Sequence, residues 1–261
     1  MPEHLVLERD PITGARLKYY AQAADVDYWQ ATWERTGAVS YARETRGHLP
    51  HQLRGTFGRW VAPGARIMEA GCGLGHFTVA AYARGYRAEG LDWCPRTIER
   101  LRERFPQIPW HVGDARALSF PDGTFDALYS PGVCEHFEEG PETVLQETRR
   151  VLRAGGIAVV STPCFNAWLR RQPAFVTAPG DDVRRGEFYQ YAFTPEGMAQ
   201  LLGRLGFEVL QVRPYGVLGT FIRYGGWKVP ARVRNVLALP LDYVPVVRQW
   251  GSSCIWVARK C

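Results

Sequence analysis

The sequence lacks the markers of secreted, zinc-binding and disulfide-stapled proteins. Its six cysteines include no C-x-x-C pair, the spacing typical of zinc sites and redox motifs. We therefore expect no metal site and interpret the cysteines as reduced thiols. The opening residues, MPEHLVLERDPITGARLKYY, interrupt their one apolar triplet with charges and hold no small-residue cleavage site, so they do not resemble a secretory signal. A cytoplasmic location is the resulting prediction.

Short apolar segments alternate with helical patterns from residue 66 onwards. Such alternation is typical of a parallel sheet with helices on both faces. Strands are predicted at residues 66–69, 87–93, 110–115, 125–131, 156–163 and 207–216, and a last strand at SSCIWVARK, 252–260. The predicted fold class is α/β, a Rossmann-like doubly wound seven-stranded sheet, mostly parallel with an antiparallel last strand, plus N-terminal helices and a C-terminal insertion.

Two segments depart from this alternation. Residues 1–60 are predicted to form an N-terminal helical cap, because the aromatic residues within 19–36 are separated by good helix formers. Residues 61–261 are predicted to form the core domain. Within it, residues 216–250 hold apolar clusters separated by Gly, Pro and Arg, and we interpret them as an insertion before the last strand.

The stretch IMEAGCGLGHF, residues 67–77, is a glycine-rich turn at the end of the first predicted strand. A dinucleotide-binding turn has the pattern G-x-G-x-x-G, with the pyrophosphate over the next helix N-terminus. Gly71 and Gly73 match this pattern, but His76 stands at its third glycine position and the actual third glycine is Gly75. The loop alone therefore does not identify the nucleotide.

Three acidic residues border the same predicted crevice. Glu69, Asp92 and Asp114 stand at or just beyond the ends of the first three strands. Asp92 is placed to accept hydrogen bonds from ribose hydroxyls, and Asp114 is placed to accept one from an adenine amine. Glu69 would repel a pyrophosphate and favour a cationic group. A cofactor with adenosine at one end and positive charge at the other fits these acids better than NAD.

With these acids in place, the sequence resembles the class I S-adenosylmethionine-dependent methyltransferases, in the small-molecule branch related to ubiquinone-biosynthesis methyltransferases. The resemblance covers roughly residues 60–210 and the final strand. The matching segments are EAGCGLG, GLDWCP, GDARALSFPDGTFDALYSPGVCEHF, RVLRAGGIAVVSTP and YAFTPEGMAQLLGRLGFEV. The implied cofactor is S-adenosyl-L-methionine.

The resemblance also implies a set of cofactor-binding residues. These are Glu69, Gly71, Cys72, Gly73, Gly75, Asp92, Trp93, Asp114, Ala115 and Ser130. The glycines would let the backbone approach the methionine part, Trp93 would flank the adenine, and Ser130 would lie near the methionyl ammonium. Each of these residues also has a purely structural interpretation. Gly71 can serve only a tight turn, Asp92 can cap a helix, and Trp93 can be part of the core.

Candidates for catalysis and for substrate contact lie outside this set. His136, in GVCEHF beyond the fourth strand, is the candidate base, although a structural role that caps or braces the following helix is favoured over catalysis. The candidate substrate contacts are Tyr20, Tyr28, Trp29, Tyr189 and Tyr191. Aromatic residues at helical spacing are, however, more often core than contact.

The positive charge of the chain is concentrated in one segment. Residues 211–261 contain eight basic residues and one acidic residue, a net charge of +7, within a chain whose total is +6. The insertion can be a lid over a greasy substrate, a lipid-surface element anchored by Phe221, Trp227 and Trp250, or a basic surface for RNA. We favour the lid, because aliphatic residues are abundant and no stretch reaches the roughly 20 apolar residues of a membrane span.

The predicted function is methyl transfer from S-adenosylmethionine to O, N or C of a small aromatic or lipophilic metabolite. SPGV stands where methyltransferases of exocyclic base amines carry [Asp/Asn]-Pro-Pro-[Tyr/Phe], which disfavours methylation of DNA adenine or cytosine-N4. A nucleic-acid partner is not expected. The alternatives are an RNA methyltransferase, which would use Arg232 and Arg234, and a non-catalytic methyltransferase-like binding protein. The predicted protein is a monomer or homodimer, with a membrane-surface contact through 216–250 as an option.

Overall fold

The structure is a computed structural model. It describes residues 4–10, 14–37, 39–53, 55–172, 186–226, 228, 230 and 241–261, with the backbone alone for residues 4–10, 14 and 15. Its strands are β1 (His4–Asp10), β2 (Gly14–Ala21), β3 (Arg66–Ala70), β4 (Arg87–Asp92), β5 (Trp110–Val112), β6 (Phe125–Pro131), β7 (Leu152–Pro163), β8 (Glu187–Phe193), β9 (Phe207–Tyr215) and β10 (Ser253–Lys260). Its helices are α1 (Val26–Arg35), α2 (Thr56–Trp60), α3 (His76–Ala83), α4 (Pro95–Arg104), α5 (Glu142–Val151), α6 (Pro195–Arg204), α7 (Val217–Arg223) and α8 (Pro245–Arg248).

Seven strands form the central sheet, in the order β5-β4-β3-β6-β7-β10-β9. Strands β3 to β7 pair in parallel, whereas β10 lies between β7 and β9 and is antiparallel to both. This arrangement confirms the predicted fold class, including the antiparallel last strand.

The sheet is covered on both faces because its strands are apolar on both sides. In β7, Ile157 and Val159 pack into one core cluster, while Ala158 and Val160 pack into the other. Helices α2 and α3 cover the first face, and α5 and α6 cover the second. Continuous apolar strands such as β7 are what a sheet between two helical layers requires.

A second, three-stranded sheet joins two strands that precede the core in the chain to one strand from between β7 and α6. Its order is β1-β2-β8, and β2 is antiparallel to both neighbours. The predicted N-terminal helical cap is therefore incomplete: α1 falls within the predicted helical region 19–36, but residues 4–21 form a hairpin. Leu17 and Tyr19 are buried on one face of β2, and its partner β8 lies about 170 residues away. Local periodicity does not reveal such a distant partner.

The structure describes both ends of the predicted insertion. Helix α7 opens it and α8 closes it, and the central residues 231–240, with Trp227, lie outside the described residues. Arg232 and Arg234, named for RNA binding, lie in that part. In the portions of the chain that the structure covers, no helix combines the length and apolar character needed to cross a membrane.

Candidate active site at the carboxyl edge of the sheet

Two glycines shape the turn between β3 and α3. Gly71 and Gly73 have φ angles of 79° and 47°, in the left-handed region that disfavours residues with a Cβ. A Cβ at Gly73 would lie 2.8 Å from the indole of Trp33, and one at Gly71 would collide with Val133. Glycine is required at both positions, because the loop backbone is in close contact with neighbouring side chains.

Three carboxylates line one cavity of about 430 Å³ at this edge of the sheet. Glu69 lies in β3, Asp92 ends β4 and Asp114 follows β5. Parallel strands end at the same edge, so residues distant in sequence meet there. The Asp92 carboxylate accepts hydrogen bonds from the Gly73 amide at 2.7 Å and the Cys94 amide at 3.0 Å. The volume lies in the range of about 300–1,000 Å³ typical of small-ligand sites.

The environments of the three acids differ, and so do their pKa values. Burial raises the pKa of Glu69 to about 8, against hydrogen bonds donated by Thr78 that favour the ionised form. Burial also raises the pKa of Asp92. Burial acts in the same direction on Asp114, but hydrogen bonds from Arg116 outweigh it and lower its pKa. Glu69 is therefore mostly neutral at pH 7 in the free protein, while Asp114 is ionised.

Apolar and aromatic residues form the cavity wall beside Asp92 and Asp114. Trp93 and Ala115 both line it, and Cys72 lines it from the glycine turn. The ring of Trp93 meets Phe137 edge-on, with centroids 6.1 Å apart. A flat, apolar wall next to two carboxylates suits an adenosine group, which needs both stacking surfaces and acceptors for its hydroxyls and amine.

Helix α1 places two tryptophans over the cavity. The rings of Trp29 and Trp33 stack with centroids 5.4 Å apart and an interplanar angle of 25°. Trp33 rests on Gly73, and Trp29 meets His136 edge-on at 5.1 Å. Because residues four apart share one face of a helix, the same face of α1 carries both rings. Trp29 thus lines the cavity and Trp33 extends the same wall, while a substrate contact of Trp29 stays a prediction.

His136 lies in the 3₁₀ turn Cys134–His136, directly after β6. Its Nδ1 is 2.8 Å from the carbonyl oxygen of Tyr189. A carbonyl oxygen only accepts hydrogen bonds, so Nδ1 carries the proton and Nε2 keeps its lone pair. Burial lowers the pKa of His136 to about 4, so the ring is neutral at pH 7. His136 and Tyr189 both line the cavity, and this contact fixes the tautomer.

Three predicted substrate contacts lie outside the cavity wall. Tyr191 is fully buried, and its hydroxyl donates to the Glu138 carbonyl at 2.7 Å. Tyr20 is buried and meets Phe188 edge-on. Tyr28 packs behind the wall, with its ring 5.7 Å from that of Tyr189. The prediction of Tyr20 and Tyr191 as substrate contacts is therefore wrong for this structure, since strand pairing turns both side chains into the core.

Two predicted cofactor contacts have other surroundings. Gly75 also has a positive φ, of 72°, but a Cβ there would meet Trp110 at 2.7 Å, within the core rather than the cavity. Ser130 is buried, and among the described residues its Oγ has no hydrogen-bond partner. Its neighbours Tyr129 and Pro131 line the cavity instead. Gly75 serves packing between α3 and the sheet, and Ser130 contributes no side chain to the wall.

Sequence reasoning missed thirteen residues of the wall, among them Trp33, His76, Phe137 and Gln190. Trp33 had a usable signal, because it lies one helical turn beyond Trp29. No sequence signal pointed to Gln190, since it reaches the cavity only through the pairing of β8 with β2.

Comparisons with known proteins agree with this geometry. A family model for a methyltransferase domain matches residues 68–160. The chain is 28% identical over 243 residues to a probable S-adenosylmethionine-dependent methyltransferase of Mycolicibacterium smegmatis, covering 91% of this chain and 82% of that protein. It is 34% identical over 105 residues to a 2-methyl-6-phytyl-1,4-hydroquinone methyltransferase of Synechocystis, covering 39% of this chain and 33% of that protein.

A solved structure shows the same fold. The crystal structure of an S-adenosylmethionine-dependent methyltransferase from Mesorhizobium loti superposes with a TM-score of 0.56 and 23% identity, covering 80% of this chain and 96% of that one. The glycine turn, the three carboxylates and the sheet order define a nucleotide-binding α/β enzyme. With the matches above, residues 68–160 form a methyltransferase domain of the class I, S-adenosylmethionine-dependent type, and S-adenosylmethionine is its cofactor.

Proposed function

We propose that the enzyme methylates an oxygen, nitrogen or carbon atom of a small aromatic or lipophilic acceptor that carries no negative charge. The observation that carries this proposal is the composition of the cavity wall. Trp29, His136 and Tyr189 form its aromatic part, and in the described portion of the chain no Lys or Arg side chain lines it. An anionic acceptor would enter a cavity lined by three acidic side chains, of which Asp114 is ionised, and by no Lys or Arg side chain among the described residues, at an electrostatic cost.

The residues at the other end of the cavity fit the cofactor. We assign Asp92 to the ribose hydroxyls, Asp114 and Ala115 to the adenine edge, and the backbone of the glycine turn to the methionine part. Glu69 would face its cationic groups. When bound, the cofactor supplies an electrophilic methyl group on a sulfonium. The protein's part is to orient the acceptor and exclude water, and alignment alone can lower a barrier by about 7–11 kcal/mol.

For a hydroxyl acceptor, we assign His136 to orient the nucleophile. Its Nε2 lone pair can accept the hydroxyl hydrogen bond, because Nδ1 is held by the Tyr189 carbonyl. With a pKa of about 4, the ring is a weak base. Full proton removal from a phenol of pKa about 10 before methyl transfer would cost about 8 kcal/mol. His136 therefore receives the proton as the oxygen–carbon bond forms, not earlier.

The first test is calorimetry with S-adenosylmethionine, S-adenosylhomocysteine and NAD as the control. Acceptors are then compared in matched pairs, a neutral phenol against the hydroxybenzoate of the same ring, with the methylated product detected by mass spectrometry. We expect kcat/KM to be at least about tenfold higher for the neutral partner, as for about 1.4 kcal/mol of charge discrimination. Preferred turnover of the carboxylates would contradict the proposed acceptor class.

An RNA acceptor has no comparable support. Arg232 and Arg234 lie outside the described residues, and no Lys or Arg side chain lines the cavity in the described part of the chain. We also retain the cytoplasm as the proposed compartment, since all six cysteines are free thiols and five of them are buried. Whether the enzyme is a monomer or a homodimer stays a prediction.

A further inference from the structure

Four consecutive exposed residues, Tyr243 to Val246, form an apolar tip with the sequence YVPV. Tyr243, Val244 and Val246 are 62%, 46% and 70% exposed. The other large hydrophobic side chains that are exposed in the described chain, Val26, Tyr82 and Val112, are separated from one another in the sequence. Single exposed hydrophobic residues are ordinary, whereas a contiguous group marks an interaction site.

The apolar tip is held in place by the structure beneath it. The Asp242 carboxylate accepts hydrogen bonds from the amides of Gly216 and Val217 at 2.8 and 2.9 Å, which ties the tip to the start of α7. On the other side, the Arg248 amide donates to the Val244 carbonyl at 3.0 Å. The apolar side chains are therefore presented outward by a formed turn.

The apolar tip lies at the same edge of the sheet as the cofactor cavity. Strand β9 runs parallel to β7 because β10 is antiparallel to both, so Tyr215 ends at the carboxyl edge. Tyr243 and Asp242 share a small hollow with Tyr215 and Gln52. The Gln52 side chain in turn hydrogen-bonds to Tyr129, a residue of the cavity wall. A surface that contacts the tip would also lie close to the cavity.

The charge around the apolar tip is positive. Arg213 lines the hollow beneath Tyr243, and Arg248 ends α8. The one acidic residue of 211–261, Asp242, already accepts two backbone hydrogen bonds and lies 3.7 Å from His51. Apolar side chains surrounded by basic ones are the combination that binds anionic membrane surfaces.

We propose that the apolar tip inserts into the interface of an anionic lipid membrane, with the surrounding basic residues on the lipid headgroups. This contact would bring the cavity to the bilayer, where a lipophilic acceptor partitions. The inference does not depend on methyl transfer, since vesicle binding is measured without an acceptor.

The test is sedimentation of the full chain with phosphatidylcholine vesicles and with equal mixtures of phosphatidylcholine and phosphatidylglycerol, at low and high salt. We expect binding to the mixed vesicles only, weakened by salt. Val246→Asp should lower the partition coefficient about tenfold or more, since it places a charge at the interface. Arg248→Gln should lower it about fivefold, the effect of one basic residue near an anionic surface.

Tyr82→Asp is the matched control, because it adds the same charge at an exposed aromatic residue outside the apolar tip. It should bind vesicles like the wild type. S-adenosylmethionine affinity should be unchanged in Val246→Asp, so a loss of vesicle binding is separable from a damaged active site. The proposal is overturned if the wild-type protein ignores anionic vesicles at low salt, or if Tyr82→Asp loses binding equally. It is also overturned if Val246→Asp abolishes self-association instead, which would identify the tip as a contact between copies.

Discussion

Glu69 gives the cavity a pH dependence that can be worked out from its surroundings. Burial raises its pKa to about 8 in the free protein, so at pH 7 about nine molecules in ten carry a neutral carboxyl. If Glu69 faces the cationic part of the cofactor, binding requires the ionised form and releases a proton. The affinity of S-adenosylmethionine should then rise with pH, up to the pKa of the free carboxyl.

The size of this effect follows from the ionised fraction. With a pKa of about 8, that fraction rises about fivefold between pH 7 and pH 8, and about fiftyfold between pH 6 and pH 8. The Glu69→Gln variant cannot ionise and should lose this contribution. Asp92, whose charge acts on Glu69, and the ligand amine titrate in both proteins, so the ratio of wild-type to variant affinity isolates Glu69.

The assay is calorimetric titration of both proteins at pH 6, 7 and 8, each in two buffers with different ionisation enthalpies. We expect the affinity ratio to increase by about fiftyfold across this range, with close to one proton released on binding at pH 7. A ratio that is independent of pH would refute the reasoning. So would a Glu69→Gln variant that binds as tightly as the wild type at pH 8.

Four further changes test the remaining assignments. Asp92→Ala should reduce cofactor affinity at least about tenfold, because it removes charge-assisted hydrogen bonds, and undiminished binding by calorimetry would contradict the ribose assignment. His136→Ala should lower kcat for a hydroxyl acceptor far more than it raises KM; turnover near the wild-type rate would favour a bracing role. In thermal melts, Gly73→Ala should lower the unfolding free energy by about 1–2 kcal/mol, because residue 73 has a left-handed φ. Gly58→Ala is the control: a Cβ at residue 58 would meet open space, so this variant should be neutral or stabilising. The free energy of unfolding should also fall as pH rises from 6.5 to 8. Burial raises the pKa of Glu135 to about 8, so the folded state holds this proton more tightly than the unfolded state does. In urea titrations, Glu135→Gln should remove about 1.5 kcal/mol of this loss.

The sequence predicted the central sheet well because its signals are local. Within β7, the apolar run 157–160 follows Gly155 and Gly156 and ends shortly before Pro163. Helix α6 begins after the Thr194 cap, whose side chain accepts from the Gly197 amide. The three acids could also be predicted, because the end of a parallel strand fixes where its next residue lies.

The roof of the cavity could not be predicted in the same way. Strand β2 pairs with β8, so Tyr191 faces the core and Gln190 faces the cavity, an outcome decided by register between distant segments. The aromatic residues around α1 looked alike in the sequence, yet Trp29 and Trp33 line the cavity while Tyr20 lies in the smaller sheet. Only the packing of the two sheets distinguishes them.

The position of β10 determines the order in which the strands of the central sheet can pair during folding. It follows every other strand in the chain, yet it lies between β7 and β9 and pairs with both. During synthesis, β9 therefore emerges before the strand that joins it to the sheet, and its pairing edge waits for residues 253–260. Trp256, fully buried on β10, enters the core only at that stage, with its indole N–H donated to the Pro195 carbonyl at 2.9 Å. The nascent domain thus holds an open sheet edge until β10 arrives, the kind of unpaired edge from which aggregation starts.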